Sequence, residues 1–178
     1  MQSSNEINLQ NQSTNLDSRP SKTKKPVNSI LKLYNNATKL PMGKQIFSKA
    51  LCLKAPYFSS INPLFVDLKA GYCEASMKKR RAITNHLGTV HAIAMCNLCE
   101  LVGGTAIEAS IDSNMRWIPK GMTVEYLDKA TTDLVAKCNI ADWSWSEKQE
   151  VPLEVNVYNT NGTVVMRAVI SMWVSPKR

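Results

Sequence analysis

Glu100 is the residue whose chemistry most needs an explanation. It is the only carboxylate between Glu74 and Glu108, and it lies in the most apolar stretch of the chain, Val90 to Val102. An unpaired carboxylate buried in apolar surroundings costs several kcal/mol. Such an acid must reach water, find a partner or hold on to its proton. The last two are the condition of carboxylates that react. A glutamate extending from a helix edge into solvent satisfies the same sequence. His91 lies nine residues earlier. At about 100° per residue the two fall on opposite faces of one helix. If they share a site, the second must come from another subunit, and a two-fold dimer would build that site twice. A purely structural histidine fits this position as well.

His91 belongs to the helix start, Gly88-Thr89-Val90-His91-Ala92. The first backbone N–H groups of a helix lack helical partners and carry the positive end of its dipole. They can stabilise a carbonyl oxygen that gains negative charge as it is attacked. Gly88 would let backbone and ligand approach closely, and it equally suits an ordinary turn. Cys96 and Cys99 form a CxxC that invites a redox or metal reading. They lie inside the apolar run without a second ligand pair, which favours buried, inert thiols. With Cys52, Cys73 and Cys138 the count is odd and the spacing irregular, so no disulfide framework is indicated. A reducing, cytoplasmic compartment follows as the expectation. No metal site is expected.

These residues need elements to position them. Residues 1–26 are rich in Ser, Asn, Gln and Lys and are expected to form a disordered polar, basic tail. The tail has no apolar core of a secretory signal, and Glu6 and Asp17 weigh against a mitochondrial presequence without removing that destination. Residues 27–178 are expected to form a single domain. From Val27 to Lys54 the spacing predicts two short helices broken at Pro41 and Gly43. Residues 57–83 read as extended, with Leu64, Val66 and Leu68 alternating with Phe65, Asp67 and Lys69, and Gly71 turning the chain. Gly88 to Ile107 predicts one helix, apolar all round and therefore buried on most sides, ended by Gly103 and Gly104. Four strands follow: around Met122–Tyr126, Leu134–Ile140, Leu153–Tyr158 and Thr163–Val174. Asn161-Gly162 predicts a type I′ hairpin turn. Two strands, a buried helix and four strands are satisfied by an antiparallel sheet curled around the helix. No glycine-rich strand-to-helix turn supports a Rossmann or P-loop reading. No run approaches the roughly 20 apolar residues of a membrane span.

The formal net charge is +8, which suits an anionic partner. Nucleic acid, an anionic membrane and a phosphorylated cofactor such as coenzyme A all qualify, as does a merely solvated basic surface. No nucleic-acid motif accompanies the charge.

Asn85-His86-Leu87-Gly88-Thr89-Val90-His91-Ala92, followed by Asn97-Leu98-Cys99-Glu100, resembles hotdog thioesterases of the phenylacetate-pathway (PaaI-like) type. Their pattern is Asn, then Gly-x-x-His-Gly-Gly, then Leu-Ala-Asp or Leu-Ala-Glu. The Gly-Thr-Val-His-Ala variant is most similar to an uncharacterised thioesterase-like branch. The resemblance covers roughly residues 45–178 and includes Trp117-Ile118-Pro119-Lys120-Gly121-Met122 at the start of the strand after the helix. It implies an α+β hotdog fold, with an antiparallel sheet wrapped around one long central helix and short N-terminal helices.

The resemblance also implies roles. Glu100 matches the carboxylate that acts as nucleophile or as general base for water. Asn85 and His91 match polar residues that position thioester or water across a dimer. Ala92 matches the glycine whose N–H faces the thioester carbonyl, beside Gly88 and Thr89. The expected substrate is an acyl-CoA, cleaved to free acid and CoA without a cofactor. The expected assembly is a homodimer or a dimer of dimers. Arg80, Arg81 and Lys120, with Lys78, Lys79 and Lys129, are candidates for the CoA phosphates. Met95, Leu98 and strand residues would line the acyl pocket. Ala92 and Ile93 stand where the family has two glycines, which narrows the mouth of the site. Glu100 reaches one methylene further than the usual Asp. A hotdog protein that binds an acyl group or a protein partner without catalysis is the alternative, favoured by the lost glycines. A hydratase on the same fold would need an Asp near the helix start, where there is none.

Overall fold

The computed structural model of the chain describes residues 28–140, 143 and 147–177. The tail expected over residues 1–26 lies outside them. Two helices, α1 (Ser29–Ala37) and α2 (Gly43–Lys54), lead into a 3-10 turn (Pro56–Ile61). Strands β1 (Leu64–Lys69) and β2 (Tyr72–Met77) precede the long helix α3 (Ala92–Glu108). Then come β3 (Met115–Tyr126), β4 (Leu134–Asn139), β5 (Gln149–Tyr158) and β6 (Val164–Pro176). All six strands join one antiparallel sheet in the order β1-β2-β4-β5-β6-β3. No described helix is long and apolar enough to cross a membrane.

The sheet is curled because it has one helix to cover. α3 touches β2, β4, β5, β6 and β3 in turn, and twelve of its 17 residues are buried. The strands present every second side chain to it: Val151, Leu153, Val155 and Val157 of β5 are fully buried, as are Met166, Ala168, Ile170 and Met172 of β6. α1 and α2 continue the same core through edge-on contacts of Tyr34 with Phe47 and Phe47 with Phe65, both at 5.0 Å. α2 packs on β1, and both Tyr34 Oη and Lys44 Nζ donate to the Val66 carbonyl of that edge strand. The opposite edge, β3, pairs only with β6.

Three local expectations fail, each for a physical reason. Gly103 and Gly104 do not end α3; both are buried inside it. Gly104 is there because of its neighbour: a Cβ on it would lie 2.9 Å from the ring of Trp117. Residues 57–61 are not extended but form the 3-10 turn begun by Pro56, whose ring suits a first helical position. The Asn161-Gly162 turn is not type I′, since of the two only Gly162 has positive φ (+82°). Asn159 N–H donates to Thr163 O at 3.0 Å, enclosing a three-residue loop, and the Asn159 side chain accepts from the amides of Asn161 and Thr163. A single glycine in the left-handed region is what that loop length needs.

Candidate active site

The approach to α3 is a loop built by one side chain. Asn85 Oδ1 accepts from the amides of Leu87 (3.0 Å) and Thr89 (3.2 Å), and Asn85 Nδ2 donates to Thr89 Oγ1 (2.9 Å). The Asn85 amide donates to Thr89 O, and Gly88 N–H donates back to Asn85 O. This curl turns the chain through Gly88 at φ +74°, a backbone state costly for other residues. Thr84 bridges Val90, Val90 N–H donates to Ala130 O, and His91 N–H donates to Ile83 O. The loop therefore fixes where α3 begins. Asn85 and Thr89 make their side-chain hydrogen bonds inside this loop.

His91 is the N-cap of α3 rather than a residue of its first turn. Its Nδ1 accepts from Ile93 N–H at 3.1 Å, so the proton of the neutral ring sits on exposed Nε2. Its carbonyl accepts from the amides of Ala94 and Met95. Ala92 N–H, the first amide of the helix, has no acceptor among the described residues. A hollow of about 180 Å³ adjoins this end, lined by Ser60, Thr84, His91, Ile93 and Asn97 among others. Asn97 is buried and donates through Nδ2 to Ser60 Oγ at 3.1 Å, while its Oδ1 has no partner among the described residues.

Glu100 lies eight residues beyond Ala92, about 12 Å along the helix. In the single chain its side chain is exposed, so it is not the carboxylate enclosed by apolar neighbours that the sequence suggested. Cys99 and Leu101 beside it point into the core, but the Glu100 face opens on a groove of about 440 Å³. Glu100, Leu101, Gly104, Thr105 and Glu108 form its floor along one side of α3. Ile30 and Leu33 of α1, Phe47, Ala50 and Leu51 of α2, and Trp117 of β3 are among its walls. None of these wall residues was singled out from sequence as part of a site. The helical periodicity of residues 29–54 was legible, but not which helix face it would turn towards Glu100. Met95 and Leu98, expected to line the pocket, are buried and belong to neither hollow.

The structure therefore separates the candidates into two groups within one chain. The amide end of α3, with Gly88, His91 and Ala92, is one; the Glu100 groove is the other. Of the basic candidates, Arg80 donates to Ser60 O, and Arg81 is exposed at the same end of the molecule. Lys120 is tied to Glu150 at 2.5 Å, on the outer side of β3 and β6. That bond, helped by one from Ser171, holds the exposed Glu150 carboxyl below the usual carboxylate range. The CxxC divides, against the expectation of two buried thiols: Cys99 is buried, and that burial pushes its thiol up, whereas Cys96 is half-buried beside the Tyr126 hydroxyl. No group of three metal-ligating side chains occurs among the described residues.

A family described as a domain of unknown function (DUF4442) matches residues 43–174. None of the curated proteins matches significantly. The crystal structure of a genomics target, APC5556, is 42% identical, with a TM-score of 0.75, over 83% of this chain and 99% of the other. A Pseudomonas aeruginosa protein of unknown function, PA5026, described as a probable thioesterase, is 23% identical with a TM-score of 0.68 over 78% and 97%. The Haemophilus influenzae thioesterase HI1161 is 12% identical with a TM-score of 0.62 over 71% and 87%. At those lower identities the likeness is one of fold, the hotdog fold of thioesterases.

Proposed function

The chain belongs to the DUF4442 family, and from that footing we propose that it is a thioester hydrolase that cleaves an acyl-CoA to the free acid and CoA. The observation that carries this reading is Glu100, a carboxylate with no ion pair among the described residues, on the floor of a largely apolar groove. A groove of that kind suits an acyl group, and a carboxylate on its floor suits attack on the carbonyl or on a water beside it.

A carbonyl under attack also needs donors for its developing negative charge. The first amide of α3, at Ala92, is free to donate, but it stands about 12 Å from Glu100 in the same chain. The two act together when α3 of a second copy brings its start to the first copy's Glu100. The reading thus requires a homodimer, with the open edge of β3 as the natural seam, since unpaired strand edges seek partners. Glu100 either attacks the carbonyl, forming a mixed anhydride that water then hydrolyses to release the acid, or takes a proton from a water that itself attacks the carbonyl. The oxyanion is held at the partner copy's helix start, and the CoA thiolate leaves. Arg80 and Arg81 lie by that helix start, where phosphates of CoA would pass. The Ala92 methyl in place of glycine tightens the approach and leaves the amide itself unchanged.

The test is turnover of a panel of acyl-CoAs by the wild type, Glu100→Ala and Glu100→Gln. Loss of a general base or nucleophile lowers kcat by about 10²–10⁴-fold. Turnover that survives both substitutions, or none on any chain length, overturns the proposal. Chain-length-dependent binding without turnover would instead identify an acyl-binding protein.

A further inference from the structure

We propose that the groove between α1, α2 and the 100–108 face of α3 is the acyl site, and that it selects an uncharged aliphatic chain of about eight to ten carbons. This rests on the thioester reading above and goes beyond it by naming the substrate class and the walls that set its length.

The dimensions come from the floor. From Glu100 to Glu108 the helix rises about 12 Å, and a zigzag carbon chain advances about 1.3 Å per bond. A carbonyl beside Glu100 therefore places a chain of about nine bonds at Glu108. The volume, about 440 Å³, is ample for such a chain at about 30 Å³ per methylene-sized group.

Most of the wall residues along this length are apolar, Ile30, Leu33, Phe47, Ala50 and Leu51 among them, and Lys54 also lines the groove. Each methylene buried there strengthens binding about fourfold. The far end is closed differently. Glu108 accepts a hydrogen bond from Trp117 Nε1 at 2.7 Å, and α1 is anchored there by Asn28, which donates to the Glu108 carbonyl. A carboxylate there repels an acyl group that ends in a second carboxylate. It tolerates a methyl end.

α1 also lies outside residues 43–174, the span shared with the family.

The test pairs turnover with binding in the full chain. Decanoyl-CoA and butanoyl-CoA serve as substrates, and the non-hydrolysable decyl-CoA and butyl-CoA thioethers as ligands. The wild type should favour the ten-carbon member of each pair at least tenfold. Ala50→Trp narrows the groove and should lower that preference at least tenfold. Leu33→Glu charges the wall at a residue 52% exposed, where folding is not at stake, and should lower it several-fold. A preference unchanged in both variants, or absent from the wild type, overturns the acyl site while leaving hydrolysis standing. Decyl preference lost in the variants without any turnover supports the groove and refutes the hydrolase.

Discussion

The Trp117 indole donates to the Glu108 carboxylate at 2.7 Å while its ring lies over Gly104. One hydrogen bond thus fixes the first residues of β3 against the last turns of α3. Alanine in place of glycine inside a helix usually gains up to about 1 kcal/mol. Here the sign reverses, because the new Cβ would meet the ring at 2.9 Å. Gly104→Ala is expected to destabilise by about 1–3 kcal/mol. Gly103→Ala has its tightest contact with the flexible end of Ile170, at 3.1 Å, and lies 3.4 Å from a Val155 methyl, so it should cost less. Thermal unfolding of both variants, with near-UV circular dichroism of Trp117, checks the order.

The loop before α3 depends on a side chain and a backbone angle. Asn85→Ala removes the acceptor of two amides and should cost about 1–3 kcal/mol. Gly88→Ala has open space for its Cβ but holds φ at +74°, and should cost about 1–2 kcal/mol. Both should lower kcat more than KM if the loop sets the helix start. A change in stability alone, with kcat intact, would confine Asn85 and Gly88 to a structural role.

The cysteines should divide by burial. Burial pushes Cys73 well above the usual thiol range and Cys138 up to about 12, the latter helped by the charge of Glu154. At pH 8 these two and Cys99 stay protonated and enclosed, and thiolate is the reactive form. A thiol reagent should label Cys52 and Cys96 in the native protein, and all five only after unfolding. Rapid native labelling of Cys99 would contradict its core placement.

Glu150 gives a pH prediction with a definite sign. Its folded pKa is lowered by the bond from Lys120. Its contribution to stability is therefore present above the pKa of the unfolded chain and fades as pH falls through the lower folded value. Lys120→Met should move the Glu150 titration upward, read by NMR of its carboxyl carbon. With the group fully exposed, the change in thermal stability at neutral pH should be small.

Much of the fold was legible because periodicity carries it. The alternation of Leu153, Val155 and Val157, and the apolar run around α3, each survive into the structure. What failed was local and came from tertiary contacts. Glycine reads as a helix stop, yet Gly104 continues α3 because Trp117, thirteen residues on, occupies the space of a side chain. The candidate site was half legible. The acid, the histidine and the helix start were visible by type and spacing. The openness of Glu100 was not, since its apolar neighbours in sequence face other directions on the helix. Asn97 was visible as a motif residue, but nothing in the sequence showed that its side-chain oxygen would be buried without a partner among the described residues.

The position of β3 at the sheet's rim bears on how the molecule is made. β3 has one neighbour in the sheet, β6, and residues 127–163 separate them. During synthesis β3 emerges before β6 and must wait for it. The sheet closes only when β6 arrives, a non-local step of the slow kind. Until then Trp117, Ile118 and Met122 stand bare, and a nascent chain cut short before Val164 would expose a sticky ribbon to the cell's quality control.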